Sequence, residues 1–139
     1  MAKYYYIPFV PLADVSYLRL FSIYDLATFN SDTKLFDTID YYSTNNLSKL
    51  LNVSKSTIDR IFSNTDYSHF FNRDADKKVI KIKNNFQQKE RKEFIVITDK
   101  EAQYLRKYND ELFCKYYIYL KHYSRISKHS NNKLCFTYK

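Results

Sequence analysis

The chain has 139 residues, and its 23 Lys and Arg outnumber its 15 Asp and Glu to leave a formal net charge of +8. The length predicts one domain with its own core, and the charge favours a polyanionic partner, either nucleic acid or an acidic membrane surface. The lack of Gly excludes Gly-rich phosphate loops, and neither an apolar run of membrane-spanning length nor the apolar core of a signal peptide occurs. We therefore expect a cytoplasmic protein with no membrane partner, whose Cys114 and Cys135 are free thiols.

Residues 1–30 are predicted to form an N-terminal arm and a helix that packs on the core. Residues 4–10 are aromatic and β-branched enough for a short strand or an extended arm, and residues 14–29 repeat apolar side chains near the helical period. Residues 30–32 break this helix. Residues 34–39 are predicted to form another helix or a continuation, followed by a short strand at 41–43.

Two short amphipathic segments then meet at a tight turn. Ser43 or Thr44 is expected to cap the first segment, and Asn52 suits the turn because Asn tolerates a left-handed backbone almost as readily as Gly. Ser54 is placed to cap the second segment by accepting a hydrogen bond from the amide of Ser56 or Thr57. Apolar side chains return to one face of each segment at helical spacing: Leu47, Leu50 and Leu51, then Ile58, Ile61 and Phe62.

The outward face of the second segment is short or cationic, which suits contact with base edges and phosphates in a major groove. Arg60 is the best candidate for a guanine or phosphate contact because its planar fork offers two parallel donors. Asp59 either accepts from cytosine or holds Arg60 in place. The candidate residues are Lys55, Ser56, Thr57, Asp59, Arg60 and Ser63.

Two β-type runs follow the paired helices. Residues 78–83 alternate Lys with apolar residues, and residues 93–98 are β-branched and apolar, so an antiparallel hairpin is predicted. Basic residues outnumber acidic ones in it, which suits contact with phosphates, although a Lys-rich hairpin is also typical of a solvated sheet edge. The candidate phosphate contacts are Lys81, Lys83, Lys89, Arg91 and Lys92.

The last predicted element is one long helix over residues 99–124, opened by a capping box at Thr98 and Glu101. Its broad apolar and aromatic side either packs on the N-terminal helix or forms a homodimer through this C-terminal helix. Cys114 is expected to be a small core residue. Residues 125–139 form a basic tail or the start of a further segment.

The run LSKLLNVSKSTIDRIF, residues 47–62, resembles the helix-turn-helix of winged-helix DNA-binding proteins. The resemblance covers about 16 residues directly and about 60 with the predicted hairpin, and it departs from the family pattern at Asn52, where Gly is preferred. It implies a winged helix-turn-helix over residues 31–98 with Ser54–Ser63 as the recognition helix. The fold class is then mainly α with a small antiparallel β-hairpin, an N-terminal helix and a long C-terminal helix. The alternative is an ordinary helical hairpin in a core.

Catalytic and ligand-binding patterns are missing from the sequence. The three His residues do not form a metal-ligand spacing, and Asp37 and Asp40 are expected to be ordinary solvated carboxylates. We therefore expect no enzyme activity, no metal, no cofactor and no small-molecule substrate.

The function favoured by these patterns is sequence-specific binding of double-stranded DNA. The role is that of a transcriptional regulator, or of a replication-initiation or accessory protein of a plasmid, phage or integrated element. The alternative is a protein-interaction module or a single-stranded nucleic-acid-binding module without duplex readout.

Overall fold

The computed structural model describes residues 4–84 and 93–129, and the chain divides into two compact units. The central unit is Val10–Asn85, and the terminal unit combines Met1–Phe9 with Phe86–Lys139. The chain therefore leaves the terminal unit after its first strand, builds the central unit and then returns to complete the terminal unit.

The first helix of the central unit, α1 (Tyr17–Asp25), carries much of that unit's core. The hydroxyl of Ser16 caps it by accepting from the amide of Arg19 at 3.1 Å. The predicted helix over residues 14–29 is too long, because this cap sets the start and a turn at Leu26 leads into a strand. The buried side chains of α1 are Tyr17, Leu20, Phe21, Ile23 and Tyr24.

Four antiparallel strands form the sheet of the central unit. They are β2 (Thr28–Asn30), β3 (Leu35–Asp40), β4 (Phe71–Asp74) and β5 (Val79–Ile82), in the spatial order β2-β3-β5-β4. Ile39 pairs with Ile80, so the middle of the sheet places two buried isoleucines side by side.

The predicted helix at residues 34–39 is wrong, because that segment is β3. Asp37 and Ile39 are buried while Phe36 and Asp40 are exposed, which is the two-residue alternation of a strand. The side chain of Asn30 accepts from the amide of Asp32 at 2.9 Å and thereby closes the β2–β3 turn. Residues 41–43, predicted as a strand, are not one; Ser43 there caps the next helix as expected.

The terminal unit is built on a two-stranded sheet of β1 (Tyr4–Pro8) and β6 (Phe94–Thr98). The strands pair antiparallel from Tyr4↔Thr98 to Pro8↔Phe94. The inward side chains of this ladder are all buried: Tyr5, Ile7, Ile95 and Ile97.

Two helices complete the terminal unit, α4 (Asp99–Tyr108) and α5 (Glu111–His129). The capping box is confirmed: the Thr98 hydroxyl accepts from the amide of Glu101 at 3.2 Å, and the Glu101 carboxylate accepts from the amide of Thr98 at 2.9 Å. The single long helix is wrong, because Asn109 adopts a left-handed backbone (φ 56°) and ends α4.

The predicted hairpin after the paired helices is also wrong. Strand β5 pairs with β3 and β4, and β6 pairs with β1, so the two β-type runs do not pair with each other. A run of β-branched residues marks a strand but does not identify its partner; β5 pairs with the adjacent β4 and with the distant β3, and β6 pairs with the distant β1.

These pairings overturn the predicted fold class. The described residues contain six strands in two sheets together with five α-helices. This is an α+β architecture with more sheet than one small hairpin. The predicted winged helix-turn-helix is not shown by these residues. Within the described ranges, no helix has the length and apolar character that crossing a membrane requires.

Candidate nucleic-acid interface

Two short helices joined by a tight turn form the candidate site in the central unit: α2 (Thr44–Leu51) and α3 (Lys55–Ser63). Asn52 has φ 56° and ψ 47°, which confirms the left-handed turn. The amide of Asn52 donates to the carbonyl of Lys49 at 3.2 Å, and the amide of Val53 donates to the carbonyl of Ser48 at 3.1 Å. This pair of bonds closes the end of α2 in a Schellman arrangement.

The start of α3 is organised by hydroxyl groups. Ser54 caps the helix by accepting from the amide of Thr57 at 3.2 Å, as predicted. Its hydroxyl oxygen also lies 3.1 Å from that of Ser56 and 2.9 Å from that of Thr57. The exposed N-terminal turn of α3 therefore presents a small group of hydrogen-bonding oxygens, which can accept or donate toward a polar partner.

The outward face of α3 is exposed along its length. Lys55, Ser56, Asp59, Arg60 and Ser63 are all exposed, and Thr57 is half-buried. The opposite face is anchored in the core, where Ile58 and Ile61 are buried. The helix is thus held by its apolar side while its polar side stays available.

Arg60 is partly oriented by its own helix. Its guanidinium donates to the Thr57 hydroxyl at 3.2 Å, one turn earlier. A guanidinium has five N–H donors, so this single hydrogen bond leaves most of the Arg60 donors for another acceptor. Asp59 is predicted either to accept from cytosine or to hold Arg60 in place. Within the described residues no hydrogen bond joins Asp59 to Arg60, so no direct contact supports the idea that Asp59 holds Arg60 in place.

The C-terminal end of α3 rests on an aromatic support. Phe62 meets Phe71 edge to face with ring centroids 5.3 Å apart, and the guanidinium of Arg73 lies 4.6 Å above the Phe62 ring. A cavity of about 330 Å³ adjoins this support and is lined by Asn64, Ser68 and Asn72 among others. Sequence patterns did not single out Arg73, because its strand β4 has one strongly apolar residue and reads as a loop.

The predicted apolar faces hold only in part. Leu47 is fully buried, but Leu50, predicted to share its face, is 44% exposed. Leu50 lies two residues before Asn52, which is also exposed, so the buried stripe of α2 is narrower than its leucine spacing indicates.

Of the five predicted phosphate-contacting residues, the structure describes Lys81 and Lys83. Lys81 is on β5 and donates to the Thr38 hydroxyl at 3.0 Å, while Lys83 follows β5 and donates to the Ser68 carbonyl at 2.6 Å. Both lysines are exposed but already bonded within the fold. Lys89, Arg91 and Lys92 lie outside the described residues.

The net charge is distributed unevenly between the two units. The central unit contains ten Lys and Arg against nine Asp, a net of +1, whereas the terminal unit contains 13 Lys and Arg against six Asp and Glu, a net of +7. The overall charge that favours a polyanionic partner is therefore carried mostly by the unit without the helix-turn-helix.

Comparison with protein-family models, with curated protein sequences and with solved structures gave no match to this chain.

Proposed function

We propose that this protein binds double-stranded DNA with sequence preference, using α3 as the helix that enters the major groove. The observation that carries the proposal is the combination of a left-handed turn at Asn52, a Ser54 cap and an exposed polar face on a short helix whose other face is buried. A helix held in this way can approach base edges without unfolding its support.

Individual side chains have distinct roles in this proposal. Arg60 reads a guanine through two parallel hydrogen bonds or clamps a phosphate, since its fork is largely unoccupied. Lys55 and the hydroxyl groups of Ser56 and Thr57 contact phosphates or base edges near the start of the helix. Phosphate contacts fix the register, and base contacts supply the preference.

Two biological roles use binding of this kind. One is transcriptional regulation, and the other is replication initiation or an accessory function for a mobile element. The genomic positions of the preferred sites, upstream of genes or clustered at an origin, distinguish the two roles.

The proposal is tested by selecting bound duplexes from a random pool and measuring affinity for the selected and a scrambled site by fluorescence anisotropy. We expect Arg60→Gln to weaken binding to the selected site by about 1–3 kcal/mol, roughly 5- to 150-fold in Kd, and to flatten the preference. Arg60→Lys keeps the charge but loses the planar fork, so it should retain binding to the scrambled site and lose preference.

Lys34→Gln is the matched control, because it removes one exposed positive charge from the β2–β3 turn of the same unit. It should change both affinities less than twofold. Equal binding of the wild type to all duplexes contradicts sequence reading by α3, and equal weakening of both sites by Arg60→Gln contradicts a base contact by Arg60. Binding to neither duplex at moderate salt favours a protein-interaction role instead.

A further inference from the structure

Helix α5 exposes a continuous row of large side chains, which we call the α5 stripe: Leu112, Tyr116, Leu120 and Tyr123. Their exposed fractions are 61%, 59%, 53% and 48%. Spacings of four, four and three residues return to one side of a helix, so the four side chains form a single line. The opposite side of α5 is fixed in the core by the buried Cys114, Ile118 and His122.

The α5 stripe is apolar or aromatic throughout. Lys121 lies on another side of the helix, where it pairs with Glu101 of α4. Affinity for nucleic acid comes mainly from Lys and Arg, which the four stripe positions lack, so the stripe suits a protein partner better than nucleic acid. Its four half-exposed side chains amount to about 400 Å² of contact area, at the level where exposed apolar patches of soluble proteins usually have a binding role.

The residue order of the stripe makes it complementary to itself. In an antiparallel pair of α5 helices related by a twofold axis near Ile118, Leu112 faces Tyr123 of the second copy and Tyr116 faces Leu120 of the second copy. Each level then combines one Leu with one Tyr ring, and the twofold axis repeats both contacts. A parallel pair would instead place Tyr on Tyr and Leu on Leu.

We propose that the α5 stripe binds a second copy of this chain in the antiparallel register just described. The proposal does not depend on DNA binding by α3, but a dimer would supply two such helices, as dimeric helix-turn-helix proteins do. About 400 Å² per copy is half of a standard interface, so the dimer forms reversibly with protein concentration. Two copies of net charge +8 repel each other, and salt therefore strengthens this association.

Sedimentation velocity from low micromolar to several hundred micromolar protein tests the proposal. The wild type should shift from monomer toward dimer, and more so at 0.5 M than at 0.1 M salt. Leu112→Glu alone and Tyr123→Lys alone should each raise the dissociation constant at least tenfold, because each places an unpaired charge in an apolar contact.

The double variant Leu112→Glu with Tyr123→Lys should recover much of the association, since each Glu then meets a Lys of the second copy. Within one chain these two positions lie about 16 Å apart along the helix and cannot pair. The double variant Leu112→Lys with Tyr123→Lys should not recover. Tyr4→Glu, at a 49% exposed tyrosine of the same unit, is the matched control and should associate like the wild type.

A wild type that stays monomeric at every concentration overturns the proposal. So does a Leu112→Glu, Tyr123→Lys double variant whose dissociation constant is as high as those of the two single variants. Circular dichroism of each variant identifies any that fail to fold, and Tyr123→Lys alone keeps the test informative if Leu112→Glu is unstable. DNA affinity weakens with salt while this association strengthens, so failure of the dimer and failure of α3 as a DNA reader give separable results.

Discussion

The thiol of Cys114 lies fully buried on the inner side of α5. Burial, with a smaller contribution from the carboxylate of Glu111, raises the pKa of Cys114 to about 12 from the ordinary value of 9.0. Only the thiolate is nucleophilic, so a rise of this size lowers its reactive fraction about 1,000-fold near neutral pH. We expect iodoacetamide at pH 8 to alkylate Cys114 at least 100-fold more slowly in the folded protein than in urea, as followed by peptide mass spectrometry.

Glutathione alkylated in the same solutions controls for the effect of urea on the reagent. A native rate within tenfold of the unfolded rate would show that α5 opens easily or that the thiol is accessible. The prediction that Cys114 is a small core residue is confirmed by this burial.

Single residues that act through their neighbours in sequence were the most predictable part of the candidate site. Asn52 in the left-handed region and the caps at Ser43, Ser54 and Thr98 follow from local chemistry, since each side chain bonds an amide within three residues or replaces Gly. Arg73, whose position over Phe62 depends on the pairing of β4, has no such local signal.

At the scale of elements, α4 and α5 are joined by Glu101. Its carboxylate caps α4 and also accepts hydrogen bonds from Tyr117 and Lys121 of α5. Burial by itself raises the pKa of Glu101, but the hydrogen bonds from Lys121, the Thr98 amide and Tyr117 outweigh it and hold the pKa below its usual 4.5. The stability from this carboxylate is therefore fully present above the unfolded pKa and is lost as the pH falls through the folded one.

We expect Glu101→Gln to lower the free energy of unfolding by about 1–3 kcal/mol at pH 7, because Gln keeps the shape and loses the charge-assisted bonds. The difference from the wild type should shrink as the pH falls below 4.5, as measured by urea denaturation across pH 3–7. Asp76→Asn, in the exposed β4–β5 turn, should change stability little at any of these pH values. A difference that does not vary with pH would mean that the carboxylate charge is not what joins the helices.

Elements were predicted well where one segment determines its own structure and poorly where pairing decides. The helices α2 and α3 follow from apolar spacing within each, whereas β3 was assigned as a helix because Leu35, Phe36 and Ile39 also fit helical spacing. The choice between the two periods is made by β5, which pairs with β3 across 39 to 43 residues of sequence, from Asp40↔Val79 to Thr38↔Lys81. No local pattern contains that information.

At the scale of the whole molecule, the proposed DNA binding by α3 predicts how duplex affinity depends on salt concentration, because most of the net charge lies in the terminal unit and not in the unit that contains α3. Lys49, Lys55 and Arg60 are exposed on α2 and α3, and three phosphate contacts would give a log–log salt slope of about −2.7. We expect a steeper slope for the full chain, because the terminal unit carries a net charge of +7. Lys100→Gln with Lys107→Gln, on exposed α4 positions, should make the slope shallower by about 1.8 without changing sequence preference.

The measurement is duplex affinity by anisotropy between 50 and 200 mM salt, with selected and scrambled sites. If the wild type already gives a slope near −2.7 and the double variant leaves it unchanged, the terminal unit does not contact DNA. Arg60→Lys, in contrast, keeps the charge and should alter sequence preference more than salt slope, so the two surfaces are separable in one assay.

The terminal unit is built from two stretches of chain that the central unit separates in sequence, and this has a consequence for biosynthesis. The ribosome delivers β1 first, yet Tyr4 pairs with Thr98, which is translated about 90 residues later. At typical elongation rates this delay is roughly 5–18 s, during which the central unit can close around its own strands. The nascent chain must therefore keep Tyr5 and Ile7 soluble until their partners emerge, and this half of the protein is the last to mature.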